Sequence, residues 1–195
     1  MFDIGIFFKI KNRLSTFFQF LVYPIFFKSF GVGSRILRSK RVCGSTRIEV
    51  GSNTFINNGG WIEVIEGYVD SPLLSIGNRV YIGNDSHIIA IDSVVIEDSV
   101  IIADRVHIAD YSHRYDDVKT PIIDQPLSLK GAVRVGSGTW IGEGVVIIGA
   151  KVGKNCVIGA MSLVNKDIPD YSVAVGVPAK VVRYWCKETG LWVQC

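Results

Sequence analysis

Aliphatic residues recur at every sixth position along most of the chain, and a small or acidic residue commonly follows each of them. Neither the helical period nor the two-residue alternation of a strand produces a strict period of six. The series slips by two residues after Val94 and stops between Asp110 and Val135. The repeating positions are Ile36, Val42, Ile48, Ile56, Ile62, Ile76, Ile82, Ile88, Val94, Ile96, Ile102, Ile108, Val135, Ile141, Ile147, Val152, Ile158 and Val164.

A period of six predicts short strands joined by tight turns, with one aliphatic side chain of each strand pointing to a common interior. Gly, Ala, Asn or Asp then occupies the corner, where the backbone favours small residues or residues that tolerate a left-handed conformation. Three such strands form a triangular coil, and stacked coils supply one another's backbone hydrogen-bond partners. Cys43 and Cys156 fall at repeat positions that suit small side chains, so we interpret both as structural. The predicted fold class is therefore mainly β, a stack of parallel-strand coils.

Composition divides the chain into two unlike parts. Nine of the ten phenylalanines lie between positions 2 and 30, whereas nineteen of the twenty glycines lie after residue 30. Residues 1–41 carry eight Lys and Arg against Asp3 alone, and residues 42–195 carry thirteen against seventeen acidic residues. We therefore predict an N-terminal aromatic and basic helical segment over 1–34, a repeat domain over 35–168 with a protruding loop at 110–134, and a C-terminal tail over 169–195.

The N-terminal segment has the pattern of an amphipathic helix with a basic polar face. Phe7, Ile10, Leu14, Phe17 and Leu21 recur at spacings of three and four. The segment either packs on the repeat domain or on sister subunits, or it lies on an anionic membrane surface through residues 1–30, which is the interpretation we favour. No apolar run is long enough to span a bilayer, and the mildly acidic repeat domain argues against nucleic acid as a partner. The four cysteines have no metal-ligand spacing, which indicates a cytoplasmic setting, peripheral at most to the inner face of the membrane.

Four motifs stand at the end of the repeat region. They are Trp140-Ile-Gly-Glu-Gly-Val-Val-Ile147, Val157-Ile-Gly-Ala-Met-Ser162, Asn165-Lys-Asp-Ile-Pro169 and Val175-Gly-Val-Pro-Ala-Lys180. In this order they resemble the closing signature of the hexapeptide-repeat acyltransferases, in particular the sugar O-acetyltransferases such as the galactoside, maltose, nodulation-factor and lipopolysaccharide enzymes. The resemblance covers roughly residues 35–183. It implies a left-handed parallel β-helix and acetyl-CoA as cosubstrate. No metal is expected, since the three histidines lack the arrangement found in carbonic anhydrases of this fold.

The interruption of the repeat contains Asp-Tyr-Ser-His-Arg-Tyr-Asp-Asp at positions 110–117. A loop of this length inside a compact domain is uncommon unless it is functional. In the family that the chain resembles, an excursion here carries a histidine over the site, which makes His113 the candidate general base and Asp110 a candidate for orienting its imidazole. The residue type suits the chemistry, since an imidazole is largely neutral at pH 7 and can accept the proton of an attacking hydroxyl.

The resemblance also implies binding residues. Asn84 and Asp85 align with positions that contact the acceptor, and Tyr111, beside the candidate base, is a further candidate for this role. Ile147 and Val152 are separated by five residues where the family usually has six, which weakens the transfer of individual contacts nearby. His87 and His107 fall at outward-facing repeat positions, so we expect them to stack on one outer face. The candidate coenzyme-binding residues are Trp140, Gly142, Glu143, Gly159, Ala160, Asn165, Lys166, Lys180 and Arg183.

Together these features predict an acetyl-CoA-dependent O-acetyltransferase that acts on a sugar hydroxyl of a surface polysaccharide, an O-antigen or a capsule, or of its precursor. Two alternatives stay open: an N-acetyltransferase of a nucleotide-linked amino sugar, and a non-catalytic β-helix that serves as an assembly scaffold. The resemblance further implies a homotrimer whose site lies between neighbouring β-helices.

Overall fold

Short strands separated by tight corners run through the chain in the computed structural model, which describes residue 19 and residues 21–195. Residues 21–26 are helical, and short 3-10 helices lie at Ser45–Arg47 and Ile122–Asp124. The strands are β1 (Ser29–Phe30), β2 (Arg35–Ile36), β3 (Arg41–Cys43), β4 (Ile48–Val50), β5 (Phe55–Ile56), β6 (Trp61–Val64), β7 (Leu73–Ile76), β8 (Tyr81–Ile82), β9 (His87–Ala90), β10 (Ser93–Ile96), β11 (Ile101–Ile102), β12 (His107–Ala109), β13 (Tyr111–His113), β14 (Leu127–Leu129), β15 (Val133–Val135), β16 (Trp140–Ile141), β17 (Val146–Ile148), β18 (Lys151–Val152), β19 (Val157–Ile158), β20 (Leu163–Val164), β21 (Ser172–Gly176), β22 (Ala179–Cys186) and β23 (Leu191–Gln194).

Most of the described strands stack into three parallel sheets, which form the faces of a triangular β-helix. Face A consists of β1, β4, β7, β10, β15 and β18, face B begins with β2, β5, β8, β11, β16, β19 and β21, and face C consists of β3, β6, β9, β12, β17 and β20. Strands of successive coils pair in register, so that Ile102 pairs with Ile82 on one side and with Ile141 on the other. The mainly β fold of stacked parallel coils predicted from the repeat is confirmed.

The aliphatic residues of the repeat fill the interior as continuous columns. On face B the column consists of Ile56, Ile82, Ile102, Ile141 and Ile158, all 0% exposed. Complete burial of one such side chain contributes about 1.5–3 kcal/mol. The narrow interior of each coil therefore explains why Ile and Val dominate the repeat.

Buried hydroxyl groups satisfy the backbone at the corner between faces A and B. Thr139 Oγ1 donates to the carbonyl of Gly153 at 2.8 Å and accepts from the backbone amide of Cys156 at 3.0 Å. Thr54 makes the same two bonds to the coil that follows it. Each hydroxyl thus ties one coil to the next where the turn would otherwise leave backbone groups unpaired.

The two ends of the stack differ from the sequence prediction. β1 starts at Ser29, before the predicted boundary at residue 35, because Phe30 is buried in the first coil as the aliphatic residues are in later coils. Residues 172–194 form strands where the sequence predicts a tail: β21 extends face B, and β22 and β23 fold back on it antiparallel. An antiparallel hairpin follows a two-residue alternation, so a search for a period of six does not detect it.

Residues before β1 close the open end of the first coil. The Gln19 side chain donates to the carbonyl of Ile36 at 2.8 Å and accepts from its amide at 2.9 Å, as a neighbouring strand would. Tyr23, Phe27 and Phe30 pack together against this coil, with ring centroids 5.1–5.3 Å apart. Most of the predicted amphipathic helix, residues 1–18 and 20, lies outside the described residues. Within residues 19 and 21–195, no helix has both the length and the apolar character needed to cross a bilayer.

Replacing Thr139 by Val should lower the free energy of unfolding by about 1–3 kcal/mol, because the buried amide of Cys156 and the carbonyl of Gly153 lose their partner while the shape of the side chain is kept. Urea unfolding followed by circular dichroism measures this change. The Thr139→Ser variant keeps the hydroxyl and removes one methyl group, so its loss should stay near 1 kcal/mol, about the value of one buried carbon. Equal losses in the two variants would contradict a role for the hydroxyl.

Candidate active site

Residues 110–132 leave the coil after β12 and form an arm at the corner between faces C and A. Within the arm β13 pairs antiparallel with β14, and His113 lies opposite Leu127. The arm is tied back to the coil by the amide of Lys130, which donates to the carbonyl of Asp110 at 2.7 Å. His113 is exposed, and its imidazole forms no hydrogen bond with any residue that the structure describes. The interruption of the repeat is therefore an ordered hairpin that presents the candidate base at an edge of face C.

Asp110 is fully buried at the root of the arm. Its carboxylate accepts hydrogen bonds from the backbone amides of Ile91, Asp92 and Ser93, at 2.7–3.2 Å. Backbone amides that converge on one carboxylate form a strong anion site, here filled by the chain itself. These partners differ from the predicted one: in the described part of the chain no hydrogen bond joins Asp110 to His113, because both carboxylate oxygens are engaged by the preceding corner.

Tyr111 lies on the same side of β13 as His113, since residues two apart in a strand share a face. Its ring is half-buried. Burial raises the pKa of Tyr111, and the charges of Glu63 and Asp110 and the neighbouring Tyr68 raise it further. Glu63 belongs to a strand two coils earlier than the root of the arm. The Tyr111 hydroxyl is therefore influenced both by a carboxylate on face C and by the root of the arm.

An ordered row of side chains runs along the outer surface of face C. Arg41, Trp61, His87 and His107 occupy the first positions of β3, β6, β9 and β12 and pair with one another in register. The Trp61 and His87 rings lie 5.3 Å apart, and the His87 and His107 rings lie 6.3 Å apart edge to face. The Arg41 guanidinium carbon lies 5.3 Å from the Trp61 ring centroid. We call these four residues the face C stripe. The predicted stacking of the two histidines is confirmed.

Glu63 holds two members of the face C stripe in place. Its side chain is buried, with 6% of the residue exposed. One carboxylate oxygen accepts from the Trp61 indole nitrogen at 2.6 Å, and the other accepts from Arg41 Nε at 3.0 Å and Nη2 at 2.7 Å. Sequence reasoning missed Arg41, Trp61 and Glu63. The sequence Trp61-Ile-Glu63 could have indicated them, because an aromatic and an acidic residue occupy the two outward positions of one strand.

The predicted acceptor residues lie at the corner between faces B and C. We call this corner the BC ridge; it includes residues 83–85, 103–105, 142–144 and 159–161. The amide of Asn84 donates to Asp104 at 2.7 Å, and its side chain donates to the same carboxylate. Asp85 accepts from Lys40 Nζ at 2.7 Å, and Lys40 lowers the pKa of the Asp85 carboxyl. Asn84 therefore links its coil to the next one, whereas the exposed Asp85 reaches past one coil to Lys40.

The glycines of the BC ridge have a packing explanation. A Cβ atom on Gly142 would lie 2.7 Å from the backbone nitrogen of Ala160, and one on Gly159 would lie 2.6 Å from the Val175 side chain. The contact between coils therefore requires glycine at position 142, where the obstacle is backbone, whereas a side chain at position 159 would require the Val175 side chain to move. Ala160 itself is exposed at the surface of the ridge.

The other predicted coenzyme residues are spread over the last coils. Glu143 forms an ion pair with Arg105 on the ridge. Trp140 is half-exposed on the outer surface of face B, in register with Ile101 and Val157. The remaining candidates are exposed, on the turn after β20 and on β22, and they are Asn165, Lys166, Lys180 and Arg183.

Face C separates the two halves of the predicted site. The arm with His113 leaves from its edge with face A, and the BC ridge with Glu143 and Ala160 forms the opposite edge. A strand of three residues is about 10 Å long, so within the described residues of one chain the candidate base and the ridge flank the face C stripe from opposite sides. No group of three or more His, Cys, Asp or Glu in this part of the chain is placed to hold a metal ion.

Sequence comparison identifies bacterial relatives, although no protein-family model matches the chain. The chain is 41% identical over 138 residues to a probable acetyltransferase of Mycobacterium tuberculosis, and the match covers 70% of this chain and 44% of the relative. The chain therefore spans less than half the length of that relative.

Structural similarity extends over most of the chain. The TM-score is 0.72 with an N-acyltransferase from Bacillus cereus in complex with dTDP and coenzyme A, which is 19% identical, with 88% of this chain and 91% of that chain covered. The TM-score is 0.55 with a maltose O-acetyltransferase from Clostridium difficile, which is 26% identical, with 84% of this chain and 73% of that chain covered. These similarities confirm the predicted hexapeptide-repeat β-helix.

Replacing Asp110 by Asn should lower the free energy of unfolding by about 1.5–3 kcal/mol, since an amide oxygen replaces a charged acceptor and its NH₂ group faces backbone donors. Chemical denaturation measures the loss. Asp116→Asn is the matched control, because among the described residues Asp116 makes only an exposed ion pair with Arg114, and such pairs contribute little. An Asp110→Asn variant as stable as the control would contradict the structural role of this carboxylate.

Proposed function

Because the chain belongs to the hexapeptide-repeat acyltransferases, we propose that it transfers the acetyl group of acetyl-CoA to a sugar hydroxyl of a surface polysaccharide or its precursor. The observation that carries this proposal is the arm, which holds the exposed imidazole of His113 at the edge of face C without a hydrogen bond to any described residue. The similarity to a maltose O-acetyltransferase supports a sugar acceptor. The same similarity supports oxygen as the atom that receives the acetyl group, whereas the similarity to an N-acyltransferase supports the N-acetyltransferase alternative.

His113 acts as general base in this mechanism. Its neutral imidazole accepts the proton of the acceptor hydroxyl while the hydroxyl oxygen attacks the thioester carbonyl. The carbonyl oxygen carries the negative charge of the tetrahedral intermediate, which backbone N–H donors stabilise. The intermediate collapses by breaking the carbon–sulfur bond, and the thiolate of coenzyme A leaves and takes up the proton. The new ester joins the acetyl group to the sugar.

Asp110 serves this mechanism as a positioning residue. Asp110 lies three residues before the candidate base in the chain. Its carboxylate fastens the root of the arm to the preceding corner by accepting hydrogen bonds from the backbone amides of Ile91, Asp92 and Ser93. Rigid attachment of the root limits the positions that the imidazole can take. Tyr111, which faces the same side, is proposed to border the bound acceptor.

The coenzyme is proposed to run along the BC ridge towards the C-terminal hairpin. The exposed Ala160 leaves the backbone open to the pantetheine amides. Lys166, Lys180 and Arg183 are exposed cations at the end of this path, and cations of this kind bind phosphate groups through charge-assisted hydrogen bonds. Glu143 and Trp140 are proposed to border the thioester end of the coenzyme.

A homotrimer would bring these halves together. In one chain His113 and the ridge residues Glu143 and Ala160 lie on opposite edges of face C. In a closed ring of three copies, two different surfaces of each chain meet, and we propose that these are the edge with face A of one copy and the BC ridge of the next. We therefore propose that each site takes its base from one subunit and its coenzyme path from a neighbour.

His113→Ala should lower kcat/KM for acetyl transfer by about 10²–10⁴-fold, the usual contribution of a general base. The release of free coenzyme A, measured with a panel of sugars, gives the rate, and mass spectrometry of the product identifies the acetylated atom. Asp116→Asn is the control, because it changes the same arm without altering the base.

The products separate the alternatives. An ester on a sugar hydroxyl is the expected result, whereas an amide on an amino sugar would replace O-acetylation by N-acetylation. Near-normal turnover of His113→Ala would remove His113 as the base. Wild-type protein that releases no coenzyme A with any sugar or amino sugar would favour the scaffold alternative.

We also propose that the N-terminal end of the β-helix contacts an anionic membrane. Leu21, Ile25 and Phe26 are 54%, 76% and 57% exposed, whereas Tyr23 and Phe27 of the same segment pack against the first coil. Residues 21–48 contain six Lys and Arg and no Asp or Glu. Four of these six cations form ion pairs with acidic residues of later positions, namely Lys28 with Glu49, Lys40 with Asp85, Arg41 with Glu63 and Arg47 with Glu66, whereas Arg35 and Arg38 form none within the described residues. Apolar side chains beside cations are the pattern of a surface that lies in a lipid interface.

Changing Leu21, Ile25 and Phe26 together to Ser should reduce binding to vesicles of phosphatidylglycerol and phosphatidylcholine by about tenfold or more, since the apolar anchors are lost. Flotation of the full chain with vesicles measures the bound fraction. The control is Val118→Ser with Ile123→Ser, because these arm residues are 93% and 89% exposed and lie far along the chain. Membrane contact through this end is contradicted if the triple variant floats as well as the wild type does.

A further inference from the structure

We propose that the face C stripe, with Glu63 beneath it, is the binding surface for the sugar acceptor, and that this acceptor is a glycan longer than one ring. This inference deepens the proposed function and depends on it. It assigns Arg41, Trp61, His87 and His107 to substrate recognition, in addition to the residues at the corners. The stripe combines a flat apolar ring with polar groups in one row, which is the combination that a pyranose requires.

The length of the stripe argues for an extended acceptor. Its four residues belong to adjacent parallel strands, in register from Arg41 to His107. Neighbouring strands are about 4.8 Å apart, so the row is about 14 Å long. A single hexose ring covers only part of such a row, whereas two or three linked rings cover all of it.

The Trp61 ring is held in a fixed orientation in the protein without a ligand. Its indole nitrogen donates to Glu63 at 2.6 Å, which fixes the plane of the ring. Arg41 and His87 flank the ring on the neighbouring strands β3 and β9. The guanidinium carbon of Arg41 and the ring centroid of His87 each lie 5.3 Å from the Trp61 ring centroid. The C–H groups on one side of a pyranose pack against an aromatic ring, and an aromatic that is already fixed loses little entropy on binding.

The two histidines supply hydrogen-bonding atoms for hydroxyl groups. Within the described residues neither imidazole makes a side-chain hydrogen bond, although His107 is half-buried. Burial and the neighbouring His87 lower the pKa of His107. An uncharged imidazole offers one donor and one acceptor, which matches the two roles of a sugar hydroxyl.

The position of the stripe connects it to the chemistry. It lies between the arm with His113 and the BC ridge. Its last member, His107, begins β12, and the arm leaves the coil directly after this strand ends at Ala109. An acceptor lying along the stripe therefore has one of its ends beside the element that carries the candidate base.

The test compares Trp61→Ala, Trp61→Phe and Trp192→Ala in the full chain. Trp192 is a half-exposed tryptophan of the C-terminal hairpin and serves as the matched control. Methyl β-D-galactopyranoside, methyl α-D-glucopyranoside and maltotriose serve as acceptor probes. We expect Trp61→Ala to raise KM for the acetylated probe about tenfold, while KM for acetyl-CoA stays within about twofold of the wild type. Trp61→Phe keeps a flat ring and should retain most of the affinity, and Trp192→Ala should behave as the wild type.

Saturation-transfer difference NMR with the same sugars, without acetyl-CoA, measures binding independently of turnover. Signals on the sugar C–H protons that are strongest for maltotriose, and that weaken in Trp61→Ala and in His107→Ala, support the inference. Unchanged signals in both variants overturn it. A change of oligomeric state in Trp61→Ala by analytical ultracentrifugation also overturns it, because the stripe would then be a contact between copies.

The experiments distinguish failure of the proposed acetyltransferase function from failure of the proposed acceptor-binding role of the face C stripe. Sugar binding that depends on Trp61, together with no acetyl transfer to any probe, would overturn the proposed function and leave the binding surface. Acetyl transfer with an acceptor KM that Trp61→Ala does not change would retain the function and remove the stripe from it.

Discussion

Most strands in the coils are two to four residues long and obtain their hydrogen-bond partners from the coils before and after them. No strand of this length is stable by itself, so each coil exists only because its neighbours complete it. The interior of such a stack admits one or two side chains from each strand, and Ile and Val fill it. Thr54 and Thr139 complete the pairing at the corner between faces A and B. The regularity of the whole molecule follows from this mutual dependence.

The same constraint decides where chemistry is possible. Inward positions are committed to the aliphatic columns, so functional groups must occupy outward positions, corners or interruptions of the repeat. This chain uses all three: the stripe on face C, the polar BC ridge, and the arm. Asp110 shows how an interruption is tolerated, because its carboxylate accepts hydrogen bonds from three backbone amides of the preceding corner at the point where the chain leaves the coil.

The sequence predicted much of the fold because the period of six is a direct record of the coil geometry. The arm was visible for the same reason, as a gap in that period. Other features depend on neighbours about twenty residues apart in the chain, and the repeat does not record which outward side chains meet there. Trp61 and Glu63 were missed in this way, whereas the stacking of His87 and His107 was found because their separation equals one coil and a slip. The hairpin of β22 and β23 was not predicted, because its residues do not follow the period of six.

A stack of parallel coils ends in exposed backbone amides and carbonyls, and another copy of the chain could add to them end to end, as fibrils grow. In this molecule the Gln19 amide occupies the edge of β2 at Ile36, and three aromatic rings cover the first coil. The segment that carries them thus limits the particle to a finite size, whatever else it binds. A chain cut after this segment would retain every catalytic candidate, yet it would be prone to polymerise into filaments.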